Sequence, residues 1–370
     1  MSPSIPFLDL PTQHLGLASE LEEAFREILT SCAFCSGPAV TAFEKHFSSF
    51  TGTRETIGVN SGTSALHLAL LAAGVGPGDE VIAPAMTFLA TVAAIGYAGA
   101  TPVLVDVEAD TYCLDPSRLR AAITEKTRAI IPVHLYGQPA NMPAILAIAS
   151  ERGISVIEDA AQAHGATLGG LPCGSMGDFA AFSFYPGKNL GACGEAGAIT
   201  TNDPNKAQLL RSMRDWGQEG KGNHANPGFN YRMDGLQGAF LSIKLKRLKE
   251  WTEARNRVAS RYRELLGGEE RIHLPCLRQG AVHSYHIFAV LTPERDRIAS
   301  EMREAGIGCG SHYPVPIHLH PTSKNFGYSE GDFPVAERIA SEELSLPIYP
   351  ELTNEQVVRV AETLIDAHHA

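Results

Sequence analysis

The sequence predicts an α/β protein, with a mostly parallel sheet covered by helices on both faces and a smaller α+β domain after it. Three observations carry this. Between residues 55 and 160, short runs of aliphatic residues alternate with longer segments of helical periodicity. The short runs have no polar face, as befits strands buried on both sides. The chain has 370 residues, 44% hydrophobic and 19% charged, an ordinary globular composition and enough length for one domain of about 250 residues plus a smaller one. The division is expected near residue 245, with a large domain over 1–245 and a small one over 246–370.

In chain order, Leu17, Leu21, Phe25 and Ile28 recur at helical spacing and predict a helix from Leu15 to Ile28, packed on the body of the protein. A second helix passes through Val40, Phe43 and Phe47, after a loop containing Ser36-Gly37-Pro38. Such a loop can cradle a phosphate, and simple helix capping accounts for the same residues. Glu55–Val59 reads as a strand, Asn60-Ser61-Gly62-Thr63-Ser64 as a turn, and Ala65–Ala73 as a helix. Strands at Glu80–Pro84, Thr101–Asp106, Thr127–Val133 and Ile154–Glu158 then alternate with helices from Thr87-Phe88 to Tyr97, Ser117–Ile123 and Met142–Arg152. These are βαβ units.

Lys206–Arg214 is a predicted helix, Gln218–Gly228 a polar loop, and Gly235–Leu266 one long helix whose Lys244, Lys246, Arg247 and Lys249 read as a solvated face. In the C-terminal part, strands are expected at Tyr285–Leu291 and Ile307–Gly310. Helices are expected at Pro293–Ala305, Pro334–Glu343 and Asn354–Ala367, the last opened by a capping box of Thr353 and Gln356.

A net charge of −11 argues against a general nucleic-acid surface, which needs clustered Lys and Arg. No apolar run is long enough to span a bilayer, and the N-terminal residues lack the features of a signal peptide, so a cytoplasmic protein with no membrane partner is expected. Seven scattered cysteines fit reduced thiols. Cys32-Ala-Phe-Cys35 has redox-motif spacing, but no βαβ unit precedes it. His312, His318 and His320 stand in a segment with three prolines and no accompanying Cys or carboxylate pattern, which favours substrate contact or packing over a metal.

In an open α/β sheet, ligands bind beyond the carboxyl ends of the strands. Gly62, Phe88, Asp159 and Lys188 all follow predicted strands. Lys188 is delivered by the apolar run Phe179–Phe184 through Tyr185-Pro186-Gly187 into a glycine-rich segment. The turn at Gly62 precedes a helix and lacks the Walker and G-x-G-x-x-G patterns, yet it offers free backbone N–H groups and a positive dipole end. Asp159 ends a buried strand and needs a partner to offset its desolvation. Pyridoxal 5'-phosphate accounts for all four. Its phosphate suits a helix N-terminus, its ring an aromatic face, its pyridine nitrogen a carboxylate, and its aldehyde a lysine.

These segments resemble the DegT/DnrJ/EryC1/StrS family of sugar aminotransferases. The resemblance covers essentially the whole chain, through Ile5-Pro-Phe-Leu-Asp-Leu, Glu158-Asp-Ala-Ala-Gln-Ala-His-Gly, Ser183-Phe-Tyr-Pro-Gly-Lys-Asn-Leu and His312-Tyr-Pro-Val-Pro-Ile-His318. It implies the aspartate-aminotransferase-like, fold type I three-layer sandwich. It further implies that Lys188 forms the Schiff base with the cofactor, Asp159 pairs with the pyridine nitrogen, Gln162 contacts the ring hydroxyl and Phe88 stacks on the ring. Gly62, Thr63 and Ser183 would bind the phosphate. Asn230 and Arg232 would reach the neighbouring subunit's site, toward the cofactor phosphate and the substrate diphosphate respectively, in a homodimer with shared sites.

The implied reaction moves an amino group from L-glutamate, which leaves as 2-oxoglutarate, onto a keto sugar linked to TDP or UDP, with pyridoxamine 5'-phosphate between the two halves. Tyr185 after Ser183-Phe184 resembles members acting on 3-keto sugars, whereas 4-keto enzymes tend to have His there. His312, Tyr313 and His318 are candidates for sugar contact. A dehydratase of this fold would carry histidine in place of Lys188, and a non-catalytic regulator is the reading from another class. One departure is Gly194-Glu195-Ala196-Gly197, where the family usually has two adjacent glycines.

Overall fold

The computed structural model describes residues 3–369; residues 1, 2 and 370, the outer limits of the two expected domains, lie outside the described residues. Seven strands form the central sheet: β1 Glu55–Val59, β2 Glu80–Pro84, β3 Thr101–Val105, β4 Thr127–Ile130, β5 Ser155–Asp159, β6 Phe179–Ser183 and β7 Gly197–Thr201. Their order is β1-β7-β6-β5-β4-β2-β3. All pairings from β6 to β3 are parallel, and β7 alone runs antiparallel to its two neighbours.

Both faces of the sheet are covered because its strands are apolar at successive positions rather than alternate ones. One face presents Ile57, Val81, Ala83, Ala129, Ile157, Phe179 and Ile199 to a core that takes in Leu66, Leu70, Val92 and Ile95. Those residues belong to α4 (Gly62–Ala72) and α5 (Leu89–Tyr97), in a series where α1 is Leu10–Leu15, α2 Ala18–Ser31 and α3 Pro38–Thr51. On the other face Ile82, Ile130 and Val156 meet Leu119 and Ile145, while Ala180, Phe182 and Ala198 meet Phe43, Phe47 and Leu241. These come from α3, α6 (Pro116–Ala122), α7 (Met142–Ser150) and, after α8 (Pro204–Met213), α9 (Gly235–Leu245). The result is a three-layer sandwich.

The C-terminal part holds α10 Leu248–Leu266, strand β8 Phe288–Leu291, α11 Arg295–Glu304, α12 Pro334–Glu342, β9 Glu343–Leu346 and α13 Asn354–His369. The antiparallel pair β8–β9 aligns Phe288 with Leu346. Its Phe288, Val290, Leu344 and Leu346 pack with Tyr262, Ile298, Met302, Val360 and Leu364 into a second core that also takes Ile5 from the N-terminus. The Thr353–Gln356 box is present, each side chain accepting from the other's backbone N–H.

Several local expectations need correction. The long helix breaks at Lys246-Arg247 into α9 and α10. Lys244 is not on a solvated face: it is 1% exposed, and its Nζ donates to the Gly191 carbonyl and stands 2.7 Å from His14 Nε2. The lysine thus satisfies a carbonyl in the loop that carries Lys188. The first helix is shifted and divided, with α1 capped by Asp9 and α2 ending at Cys32 in the left-handed region. Its Phe25 is exposed. Ile307 and Gly310 make isolated bridges to Ile5 and Ser345 rather than a strand. Strands β7 and β9 were not expected, because Gly197-Ala-Ile-Thr-Thr follows a glycine-rich stretch and Glu343-Leu-Ser-Leu carries an acidic residue that is wholly buried.

Candidate active site

The carboxyl ends of β1, β2, β4, β5 and β6 open on one edge of the sheet, and the loops that leave them enclose a cavity of about 460 Å³. Gly62, Thr63, Phe88, Asp159, Gln162, Ser183, Tyr185, Lys188, His312 and Tyr313 line it, together with Ser61, Phe7, Glu195 and His286. Ten sequence-predicted residues are therefore gathered in one place, eight by the strand order of the sheet and His312 and Tyr313 by the C-terminal part packed against it.

Lys188 follows β6 on a turn closed by its own N–H donating to the Tyr185 carbonyl at 2.8 Å. Burial pushes its ammonium down to about 8, and the Asp159 carboxylate acts in the opposite sense. A lysine with that value keeps an appreciable neutral fraction at neutral pH, as a nucleophile and proton carrier requires. Asp159 is buried, which raises its pKa, while the Thr91 hydroxyl, the Ala161 N–H and the Lys188 charge pull it back. Thr91 Oγ1 donates to Oδ2 at 2.8 Å, and Ala161 N–H donates to Oδ1 at 3.2 Å.

The N-terminus of α4 faces the same cavity. Ser61 caps it by accepting from Ser64 N–H at 3.1 Å, which leaves the first two amides of the helix, at Gly62 and Thr63, without intrahelical acceptors. A Cβ on Gly62 would meet the Ser183 Cβ at 2.7 Å, so only glycine lets this turn sit against the end of β6. That close approach makes an anion-sized cradle of two amides and the Ser183 hydroxyl. Across the cavity Phe88 is 55% exposed and lies 5.3 Å, centroid to centroid, from Tyr313. Gln162 is held at both ends: its Oε1 accepts from Tyr136 N–H at 2.6 Å and its Nε2 donates to Tyr313 Oη at 3.0 Å. One of its amide hydrogens is left for a ligand. The cradle, the carboxylate, the lysine and the aromatic wall fit pyridoxal 5'-phosphate.

The sequence profile of the DegT/DnrJ/EryC1/StrS aminotransferase family matches residues 16–365. The chain belongs to this family. It is 44% identical to a "Pleiotropic regulatory protein" of Geobacillus stearothermophilus, over 98% of each chain. It is 43% identical to the dTDP-3-amino-3,4,6-trideoxy-alpha-D-glucose transaminase of Streptomyces venezuelae, over 98% of this chain and 96% of that one. The crystal structure of S. venezuelae DesV with a ketimine intermediate superposes with a TM-score of 0.97 at 43% identity, covering 99% of this chain and 98% of that one.

As a member of the family the chain departs from its usual pattern at Ala196, and the structure accommodates the change. Ala196 is buried, its carbonyl accepts from Phe184 N–H at 2.8 Å, and it is not among the described residues with positive φ. Three expected residues do not line the cavity of their own chain. His318 is 3% exposed and its Nε2 is bonded to Glu337 at 2.8 Å, away from the cavity, which removes it from substrate contact. Asn230 is exposed, and Arg232 donates to Asp215 at 2.5 Å.

Other contributors were not foreseen. Thr91, in the first turn of the otherwise apolar α5, forms a buried hydroxyl pair with Thr87 just before that helix, a polar pair whose i, i+4 spacing was the available signal. His286 interrupts an apolar strand run, and its Nδ1 pairs with Asn189. Phe7 comes from a terminal segment with no periodicity to read.

Proposed function

We propose that this chain is a pyridoxal-phosphate-dependent aminotransferase that transfers the amino group of L-glutamate to C3 of a keto-deoxyhexose linked to TDP or UDP. The observation that carries the reading is the single cavity in which Lys188, Asp159, the α4 N-terminus and Phe88 converge. When bound, the cofactor supplies an electron sink and a carrier for nitrogen, alternating between pyridoxal and pyridoxamine forms.

The chain's own residues do the rest. The Gly62 and Thr63 amides and the Ser183 hydroxyl would hold the phosphate, and Phe88 would stack on the ring. Asp159, whose carboxylate accepts from Thr91 and Ala161, would hold a proton on the ring nitrogen. Lys188 Nζ takes the proton from the donor's Cα in the first half of the cycle. It delivers one to the sugar carbon that receives nitrogen in the second. The buried aliphatic wall of Leu66, Val133, Leu135 and Ile287 keeps water from that side of the reacting carbon.

Amination at C3 is supported by Tyr185 at the cavity and by the S. venezuelae relative, named as a 3-amino-sugar transaminase. A homodimer is supported by Asn230 and Arg232, which stand off their own cavity and suit a partner's, and by the exposed apolar side chains Phe25, Leu29, Phe34 and Tyr97. A cytoplasmic setting suits seven free cysteines and nucleotide-sugar substrates. Among the described residues no helix is long and apolar enough to cross a membrane.

The name of the G. stearothermophilus relative raises a regulatory reading; the assembled Lys188, Asp159 and Gln162 argue for turnover instead. The test is product analysis after incubation with glutamate and a panel of 3-keto and 4-keto nucleotide sugars. Amination at C3 is expected. Amination only at C4 overturns the regiochemistry, and no amination of any member overturns the function.

A further inference from the structure

Glu343 and Ser345 stand two residues apart on β9, so their side chains project to the same face, and both are 0% exposed. Ser345 Oγ donates to Glu343 Oε1 and lies 2.8 Å from Nδ1 of His312. Glu343 Oε2 accepts from the His312 backbone N–H at 2.6 Å. The His312 ring stacks on Phe7 at 5.6 Å with an interplanar angle of 16°, and its carbonyl accepts from the Tyr136 hydroxyl. Three segments of the chain, those of Phe7, Tyr136 and β9, thus converge on His312 at the wall of the cavity.

A serine hydroxyl has one hydrogen, and an ionised carboxylate can only accept. With Glu343 ionised, the Ser345 hydrogen is committed to it, and Oγ offers His312 only lone pairs. Nδ1 must then carry the ring hydrogen. Burial and the Lys188 charge push the His312 pKa down to about 4, so the ring is neutral and has one hydrogen to place. No described residue is bonded to Nε2.

We infer that Glu343 and Ser345 are positioning residues that fix the His312 tautomer, so that a bare Nε2 accepts a hydrogen bond from a substrate hydroxyl and cannot donate one. This rests on the keto-sugar reading of the cavity. A sugar hydroxyl satisfies such a site and a carbonyl oxygen, which only accepts, does not. His312 therefore selects keto sugars by where their remaining hydroxyls stand. Arg295, Tyr112, Tyr136, Tyr313 and the His312 ring are the ionisable groups that face the Glu343 carboxyl. Burial pushes that carboxyl up to about 7, so the relay is set above neutrality.

The test is the nitrogen-15 NMR spectrum of histidine-labelled holoenzyme at about pH 8, with the His312 signals assigned by their loss in His312→Gln. Protonated Nδ1 and bare Nε2 are expected. In Glu343→Gln the amide donates to Ser345, whose hydrogen turns to Nδ1, and the two ring nitrogens exchange character. In the same variant KM for the nucleotide sugar rises roughly tenfold while kcat stays within about twofold, as loss of one hydrogen bond requires. Ser345→Ala, a smaller change, gives mixed tautomers and the same direction in KM, and serves where Glu343→Gln does not fold. A bare Nδ1 in the unaltered enzyme overturns the inference. A reversed tautomer with unchanged KM overturns the role in substrate recognition. An enzyme with the expected tautomer that aminates no nucleotide sugar overturns the proposed function and leaves the positioning device standing.

Discussion

Thr91→Val removes one hydroxyl from the buried side of Asp159 at almost constant volume. The carboxylate receives two hydrogen bonds from the protein, from Thr91 Oγ1 at 2.8 Å and from Ala161 N–H at 3.2 Å. Burial already raises its pKa, and the Thr91 hydroxyl is the first of the groups that pull it down. A hydrogen bond to a buried charged group contributes about 1.5–3 kcal/mol, and one pKa unit corresponds to about 1.4 kcal/mol. Removing it therefore moves the Asp159 pKa further upward, because the ionised form loses an interaction of about 1.5–3 kcal/mol. The assay is the pH profile of pyridoxamine 5'-phosphate formation from glutamate under single-turnover conditions. The acidic limb is expected to shift toward neutrality, with the rate at high pH largely retained. A folded variant whose acidic limb stays in place would refute the claim that Thr91 keeps Asp159 ionised.

Other perturbations probe the remaining parts. Gly62→Ala places a Cβ 2.7 Å from that of Ser183; overpacking of this kind costs about 1–3 kcal/mol, and cofactor titration of the apoenzyme should show an affinity weakened about 5- to 150-fold. Lys188→Ala should bind cofactor yet form no pyridoxamine phosphate from glutamate, followed by absorbance. Mixing Lys188→Ala with Arg232→Ala subunits should restore activity in the mixed dimers if Arg232 acts across the interface; two inactive partners that stay inactive on subunit exchange would contradict that placement. Because the folded-state pKa of Glu343 is raised to about 7, its contribution to stability is complete below the ordinary carboxylate range and is lost as pH rises through 7. Chemical denaturation across that interval should accordingly show a smaller pH dependence in Glu343→Gln.

The parallel sheet was legible because its strands are apolar without alternation and are separated by helical segments, a pattern that depends only on local sequence. The cavity was legible because Gly62, Phe88, Asp159 and Lys188 each sit at a strand's end, where the fold brings distant segments together. What stayed hidden depends on tertiary partners. Lys244 reads as a surface charge until Gly191 and His14 are placed around it. Glu343 makes Glu-Leu-Ser-Leu a poor strand until the His312 amide and Ser345 meet its carboxyl. His318 sits beside two real candidates in sequence, and only the turn of the chain after Pro316 sends it to Glu337. Arg232 and Asn230 lie off their own cavity, and the roles proposed for them depend on a second subunit that one chain's sequence pattern does not place.

The central claim is that Lys188 is the residue that engages the cofactor's aldehyde. Borohydride reduction of the holoenzyme followed by peptide mapping tests it most directly. A pyridoxyl group on the peptide containing Lys188, and on no other lysine, is the predicted result. A label on a different lysine, or a reduced protein from which all the cofactor can be dialysed, would contradict it.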